Sequence, residues 1–410
     1  MIGVVADDVT GATDVAAALS RAGLRTLLSL TADLGEDAAT ADADAIVIGL
    51  KTRSIPVPDA TAQSLDALSA LQRAGADRFY LKYCSTFDST AEGNIGPVTE
   101  ALAAQVGAGI VVTTPAAPLH GRTVYRGHLF VGDALLNETH MRHHPVTPML
   151  DSSVPRLLEP QVTGAVRLLP LEVVREGSAA IRAAIADAEA SGVAHLVADS
   201  VSEPDLAALA EAVEDSPLVA GSAGLIGAIA LRRRGSERAA TRPPSGPTAI
   251  LAGSCSRRTL EQIARFHDSG GDSYQLVAQP GDSAADLAAG ALAWWDDRAH
   301  AASALFYSSS PAEERDTRIP DAGALYEETA GLIATQLADR GLQRMLIAGG
   351  ETSGEVVRAL GTKVAVVGEE AAVGVPWIHD PKRDLHLVLK SGNFGEADFF
   401  VDVASTGEAK

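Results

Sequence analysis

IGVVADDVTGATD, residues 2–14, decides how the fold is read. The run Ile2-Gly3-Val4-Val5-Ala6 is apolar or small throughout, as in a strand buried on both faces. Two acids, Asp7 and Asp8, and a Thr10-Gly11 turn follow it, and helical spacing begins at Thr13. A strand that ends in polar residues and leads into a helix is the first half of a βαβ unit.

The same alternation recurs along the chain. Strands are expected at Thr26–Leu30, Ala45–Leu50, Arg78–Lys82, Gly109–Thr113, His195–Ala198 and Pro217–Ala220, with helices at Thr13–Ala22, Asp59–Ala74, Ile95–Gln105, Ser178–Ser191 and Glu203–Glu214. A second series has strands at Ala249–Ala252, Ser273–Val277, Ala304–Tyr307, Arg344–Ala348, Val364–Val367 and Leu385–Leu389. Its helices are expected at Arg258–Asp268, Ala284–Trp295, Ala322–Ala338 and Ser353–Leu360. GSERAATRPPSGPT, residues 235–248, lacks periodicity and separates the two series. The expected architecture is two α/β domains with mostly parallel sheets, residues 1–236 and 248–410, joined by a linker over 237–247. A length of 410 residues fits two domains of ordinary size. Residues 115–164 break the alternation, and so long an irregular stretch is read as a binding loop, a lid or a homodimer interface.

Lys and Arg number 33 against 53 Asp and Glu, a formal charge of −20 that repels a phosphate backbone and argues against nucleic acid as a partner. Arg232-Arg233-Arg234 reads as a solvated helix end. Two cysteines, Cys84 and Cys255, give neither a disulfide framework nor a four-cysteine zinc site. That usage, with no basic leader and no apolar run of spanning length, leads us to expect a cytoplasmic protein without membrane contact.

Ligands of open α/β sheets bind beyond the carboxyl ends of the strands. Asp7 and Asp8 stand at the first such end, where paired carboxylates bond hydroxyls, take a proton from one, hold a divalent ion, or simply cap the helix. KYCSTFDSTAEGNIG, residues 82–96, supplies a cation and many hydroxyls, suited to a small anionic polyol. Arg122 in His120-Gly121-Arg122 suits a carboxylate, while the histidines of 140–144 have no carboxylate at metal-motif spacing. GSCS (253–256), GGETSG (349–354) and KSGNFG (390–395) are three loops of small residues at strand ends, as a nucleotide triphosphate requires. Cys255 is read as a small packed side chain rather than a nucleophile. Neither GxxxxGK[ST] nor GxGxxG occurs, which disfavours a P-loop nucleotidase and a dinucleotide oxidoreductase.

Together these motifs resemble the four-carbon acid sugar kinase family: ADDVTGATD its opening, GGETSG its nucleotide loop, GSCS and SGNFG its other carboxyl-terminal loops. KYCSTFDSTAEGNIGPV and MRHHPVTPMLDSSVPRLL resemble the branch acting on 3-oxo-tetronates, since Ala91 and Glu92 stand where relatives acting on threonate or erythronate carry Leu-Arg. The resemblance implies ATP-dependent phosphorylation of a C4 hydroxyl in carbohydrate acid catabolism, with Mg²⁺ arriving as the ATP complex and the active site in the cleft between the domains. It makes Asp8, or its neighbour Asp7, the group that orients and deprotonates that hydroxyl. Thr10, Lys82, Ser85, Thr86, Asp88, Ser89, Asn94 and Arg122 become the acid-sugar contacts, with Lys82 or Arg122 taking the carboxylate. Ser254, Ser256, Gly349, Gly350, Glu351, Thr352, Ser353, Gly354, Gly392, Asn393 and Gly395 become the nucleotide contacts. No motif fixes metal ligands. The alternatives are a D-threonate or D-erythronate kinase and a non-catalytic sensor of a sugar acid or nucleotide.

Overall fold

The structure, a computed structural model, describes residues 1–35, 42–144, 147–233, 242–298, 303–310 and 322–405. The expected linker lies partly outside these. The chain divides into two compact units, Met1–Arg238 and Ala239–Lys410.

The first unit opens with β1 (Ile2–Ala6), α1 (Val9–Arg21), β2 (Thr26–Ser29), β3 (Ala45–Gly49), α2 (Val57–Arg73), β4 (Arg78–Lys82), α3 (Ile95–Val106) and β5 (Val111–Thr114). After an inserted region come β9 (Ala165–Leu169), α5 (Leu171–Arg175), α6 (Ser178–Ala190), β10 (Val193–Ala198), α7 (Glu203–Ala212), β11 (Leu218–Gly221) and α8 (Ala223–Arg232). The inserted region contributes β6 (Arg122–Tyr125), β7 (His128–Val131), β8 (Ala134–Leu135) and α4 (Val154–Leu158). The main sheet runs β2-β3-β1-β4-β11-β5-β10-β9, every pairing parallel. Chain order reverses at β1, since β2 and β3 lie on one side and β4 on the other. That is the switch point where a crevice opens above the strand ends.

Glycines let the helices sit close on the sheet. A Cβ at Gly3 would stand 3.1 Å from Leu71 Cβ of α2, and one at Gly49 would stand 2.7 Å from Ala12 Cβ of α1. Gly49 is the register partner of Ala6, three residues beyond Gly3, so α1 and α2 cover opposite faces. β1 and β3 are accordingly buried at every position.

The second unit contains β12 (Ala249–Ala252), α9 (Arg257–Asp268), β13 (Asp272–Gln275), α10 (Ala284–Asp296), β14 (Ala304–Tyr307), α11 (Ala322–Asp339), β15 (Arg344–Ala348), α12 (Gly350–Leu360), β16 (Val364–Ala372), β17 (Val375–Asp380), β18 (Leu385–Lys390) and α13 (Phe399–Ser405). Its sheet runs β13-β14-β12-β15-β18-β17-β16. The β17 pairings with β16 and β18 are antiparallel and the rest parallel. Its core joins Ile250, Leu346 and Val388 to Trp377, Phe399 and Phe400. No helix among the described residues is long and apolar enough to cross a membrane.

Four expectations need correction. The 115–164 stretch is not loop alone, because β6–β8 form a small antiparallel sheet there. Helix α1 begins at Val9 rather than Thr13: Asp8 caps it, so Thr10 and Gly11 belong to its first turn. Helix α12 likewise begins at Gly350 rather than Ser353. β16 continues to Ala372, and β17 is an additional strand.

Candidate functional site

In the first unit, the ends of β1, β3 and β4 converge at the switch point. Asp7 follows β1, Arg53 follows β3, and Lys82 ends β4. Arg53 clasps Asp7 by two parallel hydrogen bonds, Nε to Oδ2 and Nη2 to Oδ1, both 2.9 Å. The same Nη2 lies 2.7 Å from Asp8 Oδ1, and Nη1 lies 4.0 Å from Asp88. One guanidinium thus serves three carboxylates.

The two acids are thereby distinguished. Asp7 has both oxygens committed to Arg53. Asp8 places Oδ1 on the Gly11 N–H as the cap of α1, while its Oδ2 forms no hydrogen bond among the described residues. Burial raises the Asp8 pKa above the ordinary aspartate value, Asp7 adds to that, and Arg53 and Lys82 oppose it. A carboxylate with a free oxygen and raised basicity suits proton acceptance. Gly11 keeps the space open, since a Cβ there would stand 2.4 Å from Asp8 Oδ1 and 2.8 Å from Lys82 Nζ.

The 82–96 loop closes around this cluster. Buried Lys82 donates to the Tyr83 carbonyl at 2.9 Å. Thr86 donates to Asp88 at 2.6 Å. Asn94 fastens the Arg53 loop by donating to the carbonyls of Thr52, Arg53 and Ile55. Ser89 receives the Gln161 amide at 3.0 Å, so the inserted region reaches back to this loop. A cavity here is lined by Asp7, Arg53, Tyr83, Asp88, Ser89 and Asn94. Burial pushes the Cys84 thiol up to about 11, which keeps it protonated and unsuited to attack.

Among the other expected contacts, Thr10 lies in the first turn of α1 and Ser85 is partly exposed beside Cys84. Arg122 opens β6 and donates to the His120 carbonyl of its own turn, and no hydrogen bond or ion pair joins it to the aspartates. Arg53 was missed. It stands just beyond a strand end, the position already favoured for Asp7 and Lys82, and that rule applied to Ala45–Leu50 would have found it.

In the second unit, β12, β15 and β18 are sheet neighbours, so their following loops meet. Gly253 and Ser254 N–H both donate to the Ala348 carbonyl at 3.0 Å, and Gly349 N–H donates to Lys390 O at 2.9 Å. Ser256 caps α9 and donates to the Gly392 carbonyl at 2.6 Å. There is no room for side chains: a Cβ at Gly253 would stand 2.3 Å from Thr352 Oγ1, and one at Gly392 would stand 2.5 Å from Ser254 Oγ. Gly349 has φ 137° and its Cβ would stand 2.9 Å from Thr352 Oγ1. The N-termini of α9 and α12 open on these bare loops, a donor set that fits phosphate. Gly350 and Gly354 are half-buried and Thr352 and Ser353 buried in the first turns of α12, while Glu351 and Asn393 are exposed and Gly395 turns the last loop at φ 77°. Lys390, buried beneath that loop, was not among the expected contacts. A larger cavity lies at the opposite end of β15, lined by Pro247, Trp295, Arg340 and Arg344.

A model of a sugar-binding N-terminal domain matches residues 2–229, and one of a nucleotide-binding C-terminal domain matches residues 249–400. The chain belongs to this sugar-binding and nucleotide-binding kinase family. Its relatives include a 3-oxo-tetronate kinase of Cupriavidus necator, 42% identical over 98% of this chain and 95% of that protein. The 3-oxo-tetronate kinase of Salmonella typhimurium is 41% identical over 98% of this chain and 97% of that protein. A crystal structure from Salmonella typhimurium, named a putative tRNA synthase, has a TM-score of 0.91 at 38% identity and covers 99% of both chains. One from Haemophilus influenzae has a TM-score of 0.83 at 37% identity, covering 99% of this chain and 100% of that one. The family resemblance drawn from ADDVTGATD, GSCS, GGETSG and SGNFG is borne out, and so is the α/β architecture.

Proposed function

We propose that this chain is an ATP-dependent kinase that phosphorylates the C4 hydroxyl of a 3-oxo-tetronate, giving the 4-phosphate and ADP. The observation that carries the reading is end-to-end likeness to enzymes of that name, 42% identity over 98% of the chain. The chemistry of the two sites supports it.

In this reading Asp8 takes the C4 hydroxyl proton as that oxygen attacks the γ-phosphorus and the bond to the β,γ-bridging oxygen breaks. Arg53 holds Asp7 and biases Asp8, while Lys82 faces the substrate carboxylate and Thr86, Asp88 and Ser89 meet its hydroxyls. The amides at the starts of α9 and α12 and that of Asn393 cradle the phosphates, with Ser254 donating its hydroxyl while Ser256 holds the Gly392 carbonyl. Mg²⁺ would arrive as the ATP complex, with phosphates and water as its ligands, and would supply neutralisation of the charge that builds on transfer. The rest of the acceleration comes from alignment.

A coupled ADP-release assay with Mg-ATP tests this, using 3-oxo-tetronates of both stereochemical series, D-threonate, L-threonate and D-erythronate. Turnover with a 3-oxo acid and little with the reduced acids is the expected result. Turnover with a reduced acid alone would keep the kinase and reassign its acceptor. Silence across the panel, with ligand binding retained, would make the protein a sensor.

A further inference from the structure

Lys390 ends β18 with 1% of its surface exposed, and among the described residues it pairs with no carboxylate. Its Nζ donates to Thr259 Oγ1 at 2.9 Å and to the Gly392 carbonyl at 3.0 Å. The Phe400 ring of α13 lies 5.7 Å away. The charged side chain that acts on it is a second cation, Arg258 on α9. A buried ammonium without an anion is costly, and an anion brought by a ligand removes that cost.

The surroundings identify the ligand. The Gly392 carbonyl accepts from three groups: Ser256 Oγ at 2.6 Å, Thr259 Oγ1 at 3.0 Å and Lys390 Nζ. In a trans peptide the carbonyl and the next N–H point in opposite directions. Tying the Gly392 carbonyl inward therefore turns the Asn393 N–H outward from the loop and removes an oxygen that would repel phosphate. In the adjoining first turn of α12, Ser353 Oγ is also buried, and among the described residues it has no hydrogen-bond partner.

We propose that Lys390 is the positioning residue of the nucleotide site: it fixes the Gly392-Asn393 peptide for the polyphosphate and takes up a proton when ATP binds. The inference rests on the kinase reading above and extends it to a linked proton. Burial, with Arg258 adding to it, lowers the lysine to about 7. Above that pH the free protein holds a neutral amine, which still donates both hydrogen bonds. The arriving polyanion favours the ammonium, so one N–H bond forms at Nζ with a proton drawn from buffer, and ATP affinity falls as pH rises.

Titration calorimetry of the full chain with Mg-ATP at about pH 8, in two buffers of different ionisation enthalpy, tests this. The wild type is expected to take up most of a proton per ATP. Lys390→Met is expected to take up none and to bind ATP about 10- to 100-fold more weakly, with a wild-type circular dichroism spectrum and cooperative urea unfolding as proof of folding. Lys390→Arg is expected to recover affinity without the proton, because a guanidinium is already charged. Wild-type ATP binding with equal heats in both buffers, or proton uptake retained by Lys390→Met, overturns the proposal and leaves the kinase intact. A wild type that binds the acid sugar but no ATP overturns the kinase reading and this proposal with it.

Discussion

Arg53 holds Asp7 at both oxygens and touches Asp8 with the same nitrogen that completes that grip. Three carboxylates therefore share one guanidinium that comes from a different strand end. Replacing Arg53 by Met leaves Asp7, Asp8 and Asp88 without it, and urea unfolding is expected to show a loss on the order of 3 kcal/mol. Arg53→Lys should recover only part, because an ammonium cannot reproduce the two parallel bonds.

Asp8→Asn separates catalysis from folding. Asparagine caps a helix as well as aspartate, so the bond to Gly11 N–H has a ready substitute. Turnover is expected to fall about 10²- to 10⁴-fold with little change in ligand binding. Because the folded-state pKa of Asp8 is raised, its ionisation opposes folding once pH rises above the ordinary aspartate value. The neutral variant should therefore melt no lower than the wild type at pH 7, and a lower melting temperature would count against this account. The acid limb of kcat in the wild type should also lie above the ordinary aspartate pKa.

Gly349→Ala tests the nucleotide loops alone. Its backbone sits at φ 137°, and the added Cβ meets Thr352 Oγ1 at 2.9 Å and Ser254 N at 3.2 Å. Steady-state kinetics should show the KM for ATP up by about tenfold or more, with the KM for the acid unchanged.

His386 links the stability of the second unit to pH. It stacks on His379 with centroids 4.3 Å apart, and burial followed by His379 lowers it to about 4. Unfolded histidine titrates near 6.5. Between those values the unfolded chain binds a proton that the folded chain refuses, so stability falls as pH drops through that window. Urea midpoints at pH 7.5 and 5 should differ less in His386→Gln than in the wild type.

Much of this was legible in the chain because parallel strands are buried on both faces. Runs such as Ala45–Gly49 and Arg344–Ala348 are almost wholly apolar and reveal themselves without topology. β16 runs past its expected end through the polar Gly368-Glu369-Glu370, because an antiparallel pair tolerates polar residues on one face. Thr10-Gly11 has the composition of a turn, whereas the Asp8 cap carries the helix through it. The small-residue loops of the second unit were legible because each directly follows an apolar run, at 249–252, 344–348 and 385–389. The Arg53–Asp7 pair was not, because it joins residues 46 apart through the β1–β3 register. Lys390 was equally hidden, since its burial is supplied by α9 and α13.

Lys82 and Asn94 are each secured to main chain, one to Tyr83 and the other to Thr52, Arg53 and Ile55. The residues from 84 to 93 are strung between two fixed posts. A segment mounted in this way is a replaceable cassette. A graft of 84–93 from a relative would land on the same posts, so this loop can be exchanged, by evolution or by design, without touching the sheet beneath.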